Sequence, residues 1–505
     1  MSPMSESFAS KGSLRIKWLA IGCLKYGKVR GACLAKVDKL IFAGMPMSFE
    51  SIFTHRRVGS DRIPEGPRSG FQRDFDRLIF SSAFRRLQNK TQVFPLPGTA
   101  FVHNRLTHSL EVASVGRSLG KMIGEEISKS FKGHNDEAYE FYRYELANVV
   151  AAACLAHDIG NPAFGHSGEK AISAYFVDNE QTQIEGKRLR DFFNEREWQD
   201  LTAFEGNANA IRVLTQNFKG RFTGGFGLTY TTIASILKYP CESVCTDKAF
   251  KHRKKYGFFQ SEKEIVVQVA EACGMIREGN DPVIFRRHPF VYLVEAADDI
   301  CYSIVDMEDA HRLGILSTET VCSAFKEVLD KTRPEGAGED RTFDHYKKLE
   351  DANEGIAFLR ARVINQLVQE CSRVFLTHQD AILAGTFNDT LIDNLQDRTQ
   401  ALATVQAMSR SKIYQHDTVL QIELAGYNLM SELLALLVPA LLKTKPAHRE
   451  QIILKLFPYH LTGFREGGSG YSKVLLALDY LSGMTDEYAT EIYRRLKGIS
   501  TPVHG

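Results

Sequence analysis

The stretch LAHDIGNPAFGHSGE, residues 155–169, gathers His157, Asp158, His166 and Glu169 around a turn of Gly, Asn and Pro. His157 and Asp158 are adjacent, so on a helix their side chains diverge by roughly 100° and cannot form a surface ion pair as i, i+4 neighbours do. They can still converge if the point of convergence lies past the helix end, and a metal ion is such a point. Imidazoles and carboxylates are the ligands of hard and borderline divalent ions, and a site assembled from several helices spreads them along the sequence. Two further residues fit that logic: His108 in NRLTHSLEV (104–112), at the start of a helix whose apolar face includes Leu110 and Val112, and Asp298 in EAADDICYS (295–303), where two adjacent acids interrupt an apolar helix. A lone helical histidine is more often an ordinary hydrogen-bonding group, and an acidic pair usually marks a polar interface. The set says more, because the helix leading to His157 reads as almost entirely buried and unpaired buried polar groups cost kcal/mol.

The elements that must position these residues read as helices. ELANVVAAACLAHD (145–158), TAFEGNANAIRVL (202–214), HPFVYLVEAADDICYSIVDMEDA (288–310) and HDTVLQIELAGYNLMSELLALLV (416–438) repeat apolar residues at three-and-four spacing, with few β-branched alternations. Thr202 ahead of Glu205 has the form of a capping box. The expected fold class is all-α. RPEGAGED (333–340) and REGGSGYSK (465–473) read as polar loops, the first dividing a motif-rich half from a C-terminal helical half. Residues 1–60 are basic and irregular and read as an N-terminal extension. KHRKKYGFF (251–259) has two readings, a solvated charge run or a phosphate contact, the first being the commoner for such runs.

Composition sets wider limits. The 505 residues are 44% hydrophobic and 25% charged, an ordinary globular balance, and 63 basic against 61 acidic residues exclude a globally basic nucleic-acid binder. Nine cysteines, odd in number and without a CxxC pair, favour reduced thiols and a cytoplasmic location, with Cys241 and Cys245 the only close pair. No uninterrupted apolar run reaches the roughly 18 residues of a membrane span, and Leu433 to Leu442, which contains Pro439, reads as a buried helix. WLAIGCLKYG (18–27) follows basic residues as a signal peptide does, but its apolar run is short and broken.

The pattern His108, His157-Asp158, Asp298 resembles the H…HD…D signature of HD-domain metal-dependent phosphohydrolases. Longer blocks narrow the likeness: RRLQNKTQVFPL (85–96), NRLTHSLEV, AHDIGNPAFGHSGE (156–169), FEGNA (204–208), ILKYP (236–240), EAADDICYSIVDMEDA (295–310) and SGMTDEYA (482–489) are similar to the bacterial dGTP triphosphohydrolase family. The ordered blocks, spanning roughly residues 70–490, carry the resemblance more than the bare spacing does.

That resemblance implies an HD-domain helical core over 61–332 and a helical C-terminal region over 333–505, packed on the core and in oligomer contacts. It implies hydrolysis of dGTP, or another dNTP, at the α-phosphorus to a deoxynucleoside and inorganic triphosphate. His108, His157, Asp158 and Asp298 would hold the metal, for which mixed His/Asp ligation suits Mg, Mn or Fe. The family's acid–base pair falls on His166 and Glu169, with Glu169 orienting the imidazole and keeping it protonated so that His166 can give a proton to the departing 5′ oxygen. Arg105 and Lys238 correspond to triphosphate contacts. Tyr302 corresponds to a ring against the sugar, placed where a 2′-hydroxyl would project, which excludes ribose by steric conflict. Asp306 and Gln92 correspond to partners of the 3′-hydroxyl, and Asn161 and Asn207 to active-site polar residues. Relatives assemble as homo-oligomers, often hexamers, and some respond to a bound nucleotide or to single-stranded DNA; no membrane partner is expected. Two other readings stay open: a broad-specificity dNTPase or other HD nucleotide phosphohydrolase, and a non-catalytic nucleotide-sensing or nucleic-acid-binding HD module. Against the second stands the presence of all four ligands with His166 and Glu169.

Overall fold

Local sequence accounts for where the site helices begin and end. Asn104 caps the helix α2 (Arg105–Ser128): its side chain accepts the Thr107 N–H, and the Thr107 hydroxyl accepts the Asn104 N–H, both at 3.0 Å. This reciprocal box satisfies two of the amides that every helix start leaves open and fixes His108 in the first turn. Helix α3 (Leu146–Ala156), rich in alanine, is buried on every side and stops at His157. The remaining helices that build the site region are α1 (Gly70–Ile79), α4 (Gly165–Asp178), α5 (Gly206–Thr215), α6 (Tyr230–Ile236), α7 (Val291–Arg312), α8 (Thr318–Thr332), α9 (Ala352–Thr377), α10 (Asp417–Leu442), α11 (Gly470–Ser482) and α12 (Asp486–Leu496).

The computed structural model describes residues 46–60, 66–94, 102–220, 223–333, 341–396 and 400–499. The WLAIGCLKYG stretch, Cys23, Cys33 and all but the first residue of RPEGAGED lie outside the described residues. Among those described, strand structure is confined to two short antiparallel ribbons, Gln183–Ile184 with Lys187–Arg188 and Arg277–Asn280 with Val283–Phe285, so the fold is all-α.

Packing divides into two apolar cores. In the first, α2 lies against α3, α7 and α9, while α1 and α6 cover α3 and α8 covers α9. In the second, α10 lies against α4, α11 and α12. The segment after residue 333 therefore contributes α9 to the first core and α10 to α12 to the second. The metal-candidate turn crosses between them, with Ile159 in the first core and Ala163 in the second. By length and composition α10 is apolar enough to cross a membrane, yet Leu429, Leu433, Leu437 and Leu441 of its C-terminal half are buried in the second core. The seven described cysteines are free thiols.

Three expectations are corrected. Residues 47–60, read with the N-terminal extension, pack into the first core through Met47, Ile52, Phe53 and Val58. Thr202 ends the helix Glu195–Thr202 instead of capping α5, because Glu205, the true N-cap, spends its carboxylate on Lys255 and Asn207. Leu110 points to solvent, leaving Val112 and Val115 to face the core.

The packing of 47–60 depends on a buried ion pair. Arg57 Nη1 donates to Asp74 Oδ1 (2.8 Å), and Asp74 Oδ2 accepts the Thr229 N–H (2.9 Å) and hydroxyl (2.6 Å) and the Thr232 hydroxyl (2.9 Å). Removing one partner leaves the other charge buried alone, which costs about 3–5 kcal/mol. Asp74→Ala should therefore lose stability of that order in denaturant unfolding, whereas Arg68→Ala, which breaks the exposed pair with Asp76, should change it by less than about 1 kcal/mol.

Candidate active site

Helix α3 delivers His157 at its C-cap and Asp158 just beyond, while α2 and α7 bring His108 and Asp298 to the same point. His157 Nδ1 donates to the Cys154 carbonyl at 2.6 Å, which fixes the tautomer and leaves the Nε2 lone pair available. That Nε2 is buried without a hydrogen-bond partner. It stands 3.5 Å from Asp298 Oδ1 and 3.6 Å from Asp158 Oδ1, and His108 Nε2 is 3.1 Å from the same Asp298 oxygen. Ligand atoms about 2.1 Å from one ion lie about 3.0 Å apart when cis and about 4.2 Å when trans. The ligand atoms of His108, His157 and Asp158 all fall within 4.8 Å of one another. An orphaned imidazole nitrogen between two carboxylates, with a second imidazole beside them, fits a divalent cation.

The surrounding cations favour the ionised form of both carboxylates. Burial opposes the charge on Asp158, but Arg105 and then His157 hold its pKa at about 2. For Asp298, burial is likewise outweighed by His157 and His108, which hold it far below the usual range. Arg105 Nη1 donates to Asp158 Oδ2 (2.7 Å), and the Asn161 amide donates to Asp158 Oδ1. The arginine fits because residue 165 is glycine in the left-handed region (φ 54°), where any side chain would collide with the guanidinium.

A cavity of about 790 Å³ opens in front of Arg105, lined by Gln92, His166, Glu169, Glu205, Lys255 and Tyr302 among others. His166 and Glu169 occupy the first turn of α4. His166 Nδ1 donates to Glu169 Oε2 (2.6 Å), and Glu169 Oε1 accepts the Gly206 N–H (2.7 Å). The carboxylate is buried while the imidazole is 69% exposed to the cavity. Gly206 permits this approach, since a side chain there would strike Asn161 and Glu169. The bond to Glu169 raises the His166 pKa; for Glu169, burial works upward but the bond to His166 brings the net shift down.

The other sequence candidates divide. Arg105, Gln92 and Tyr302 line the cavity, and the Gln92 Oε1 is a buried acceptor without a partner. Asp306 lies beneath, accepting from the Tyr414 hydroxyl (2.8 Å), and burial pushes its carboxyl up to about 8. Lys238 is absent from the lining: it pairs with Glu295 (3.3 Å), which Arg287 also holds at 2.8 Å. Asn161 faces Asp158 and Asn207 donates to Glu205 (2.7 Å), so both act on neighbouring carboxylates.

Among the cavity residues given no site role in the sequence are Phe164, Lys170, Glu205 and Tyr414, and Lys255 was read there only as part of a charge run. Tyr414 stacks on Tyr302, ring centres 5.6 Å apart and planes at 29°, across a sequence gap no periodicity bridges. Lys255 sits in KHRKKYGFF, whose cations are mostly ion-paired, with Lys254 exposed and Lys255 lining the cavity. Lys251 pairs with Asp393, His252 with Glu278, Arg253 with Asp247 and Lys255 with Glu205 at 2.6–3.0 Å, while Tyr256, Phe258 and Phe259 are buried. The signal was its aromatic tail, which predicts burial.

The HD domain family model matches residues 105–223, which take in His108, His157, Asp158, His166 and Glu169, so fold and site define an HD-domain protein. A deoxyguanosinetriphosphate triphosphohydrolase-like protein of Synechocystis sp. is 38% identical over 462 residues, covering 90% of this chain and 100% of the relative. One from Pseudomonas aeruginosa is 35% identical over 466 residues, with the same coverage. A deoxyguanosinetriphosphate triphosphohydrolase of Yersinia enterocolitica is 32% identical over 496 residues, covering 84% of this chain and 93% of the relative. The chain belongs to the deoxyguanosinetriphosphate triphosphohydrolase family.

Groups that orient a metal ligand typically contribute about 10–100-fold to metal affinity. Asn161→Ala should weaken Mn2+ binding by that factor in a calorimetric titration, and His157→Ala should abolish it; equal affinity in both variants would show that the ion binds elsewhere.

Proposed function

We propose that this chain is a metal-dependent triphosphohydrolase that cleaves dGTP between the 5′ oxygen and the α-phosphorus, releasing deoxyguanosine and inorganic triphosphate. Mg2+ or Mn2+ is the proposed ion, with Fe2+ the alternative. The observation that carries this reading is the exposed His166 imidazole, backed by buried Glu169, opening into the same cavity as Arg105, whose guanidinium grips a carboxylate of the metal-candidate cluster. The names of the curated relatives support dGTP as the preferred base.

A divalent ion held by His108, His157, Asp158 and Asp298 would supply charge stabilisation at the α-phosphoryl oxygens. Arg105, aimed into the cavity, suits a phosphate contact through charge-assisted hydrogen bonds. His166, kept protonated by Glu169, donates its proton to the departing 5′ oxygen as that oxygen's bond to the α-phosphorus breaks and water's oxygen joins the phosphorus. The proton released by that water passes to solvent, from which the imidazole is reprotonated. The half-exposed Tyr302 ring, Asp306 beneath it and the unpartnered Gln92 Oε1 support a deoxyribose subsite with donors and acceptors for a sugar hydroxyl. The proposal includes a homo-oligomer, supported by Leu420 and Leu424, which expose apolar surface on α10 beside the cavity wall.

The test is incubation with Mg2+ or Mn2+ and each of the four dNTPs and GTP, with products resolved by ion exchange. Deoxyguanosine and triphosphate from dGTP are expected. Comparable turnover of all dNTPs would replace the base assignment with a broad dNTPase, and pyrophosphate or single phosphate would overturn the chemistry. His166→Ala should lower kcat by about 10²–10⁴-fold. Because Glu169 raises the His166 pKa, the donor stays protonated above the ordinary imidazole range, and kcat should fall as pH rises through that raised value. Glu169→Gln removes the raising partner, so this alkaline limb should move to lower pH.

A further inference from the structure

A second cavity, of about 240 Å³, lies behind the metal-candidate turn, between residues 82–90 and helices α11 and α12, with Ile159, Phe226 and Met484 among its apolar walls. Lys90, Arg86 and His460 line it, and among the lining residues the sole carboxylate, Asp479, is held by Arg212 through two hydrogen bonds of 2.8 Å. Lys90 is 2% exposed, and its ammonium donates to the carbonyls of Asn161 and Ser482, each at 2.6 Å. Neither partner carries a charge. Burial, and then the neighbouring Arg86, push this ammonium down to about 7. Asp486 offsets part of that, but its two oxygens already accept the backbone N–H groups of Thr91 and Phe164, each at 2.8 Å. The Ser482 hydroxyl, 5% exposed, has no hydrogen-bond partner.

Cavities that stay empty are apolar, and one of about 150 Å³ in another protein holds a benzene ring. A larger chamber lined by a buried ammonium and an unpartnered hydroxyl is suited to a ring-sized body with a negative head group. We propose that this cavity binds a small organic anion, its carboxylate or phosphate monoester on Lys90 and the Ser482 hydroxyl and its apolar body against Phe226 and Met484. Occupancy would bear on the metal cluster through two hydrogen bonds, since Lys90 holds the Asn161 carbonyl and the Asn161 amide holds Asp158. The inference goes beyond the proposed reaction and does not depend on which nucleotide is cleaved.

The probes are benzoate, phenyl phosphate and neutral benzamide, titrated calorimetrically into the full-length protein and its His157→Ala variant. One or both anions should bind saturably in both proteins, which separates this cavity from the metal cluster, and benzamide should bind at least about tenfold more weakly. Which anion binds identifies the head group. Ser482→Ala, which loses no existing side-chain bond, should weaken the anion at least about threefold, and Lys90→Met should abolish the preference for anion over benzamide. Equal binding of benzamide, full affinity in both Ser482→Ala and Lys90→Met, loss of binding in His157→Ala, or no saturable binding below about 10 mM would overturn the proposal.

Discussion

A helix buried on all sides can end in histidine and aspartate only if every polar atom of those side chains finds a partner, because an unsatisfied buried group costs about 1–3 kcal/mol and a charged one more. Much of the site follows from how that demand is met at the end of α3. The Cys154 carbonyl takes one nitrogen of His157, and Arg105 and Asn161 take the oxygens of Asp158. What is left is His157 Nε2, facing two carboxylates and a second imidazole. Adding another hydrogen-bond donor would satisfy the nitrogen but leave the two acids crowded; a cation satisfies all of them together.

Meeting that demand requires the turn after α3 to be held from both cores. Phe164, in the left-handed region at φ 60°, carries a backbone strain of about 1–2 kcal/mol for a residue with a side chain. Its N–H is fixed by Asp486 and its ring lies against Gly426 of α10, so the second core over-determines the conformation. Asp486 also holds the Thr91 N–H, and Lys90 joins the Asn161 and Ser482 carbonyls, tying the segment that carries Gln92 to the same turn. The left-handed Phe164-Gly165 pair then starts α4 at an angle that aims His166 into the cavity and sinks Glu169 beneath it. Strain at this position is where a site built on rigid elements places it.

The sequence was legible where chemistry and local pattern coincide. His108, His157, Asp158 and Asp298 are called by residue type and by the contradiction of polar side chains ending an apolar helix, and the structure brings them together. His166 and Glu169 rest on the family motif, and their i, i+3 spacing in one helical turn makes the contact local. Tyr414 was illegible, and Lys255 legible only as one cation of the KHRKKYGFF run, because their partners, Asp306 and Glu205, are set by tertiary packing of distant segments. Lys238, Asn161 and Asn207 are near the site as the motifs imply, but their contacts with Glu295, Asp158 and Glu205 are properties of three-dimensional charge pairing that spacing does not encode. The N-terminal boundary was misplaced because residues 47–60 dock by single apolar anchors and one ion pair, without periodicity.

Two of the cations that line the cavity, Arg105 and Lys255, share one property that bears on how a polyphosphate would be held. Arg105 is bound to Asp158 and Lys255 to Glu205, at 2.7 and 2.8 Å, and Lys238, outside the lining, is bound in the same way to Glu295 at 3.3 Å. Each pair fixes the position of its cation before any anion arrives, so little reorganisation remains to be done on binding. Each pair also cancels much of the field that would attract the anion, and the burial of Asp158, Glu205 and Glu295 prevents solvent from relieving that cancellation. A cation bound beside the orphaned His157 Nε2 would strengthen the attraction for phosphate charges that these pairs weaken. With an orphaned His157 Nε2 at the centre and pre-paired basic residues beside it, metal binding and triphosphate binding at this site would reinforce each other.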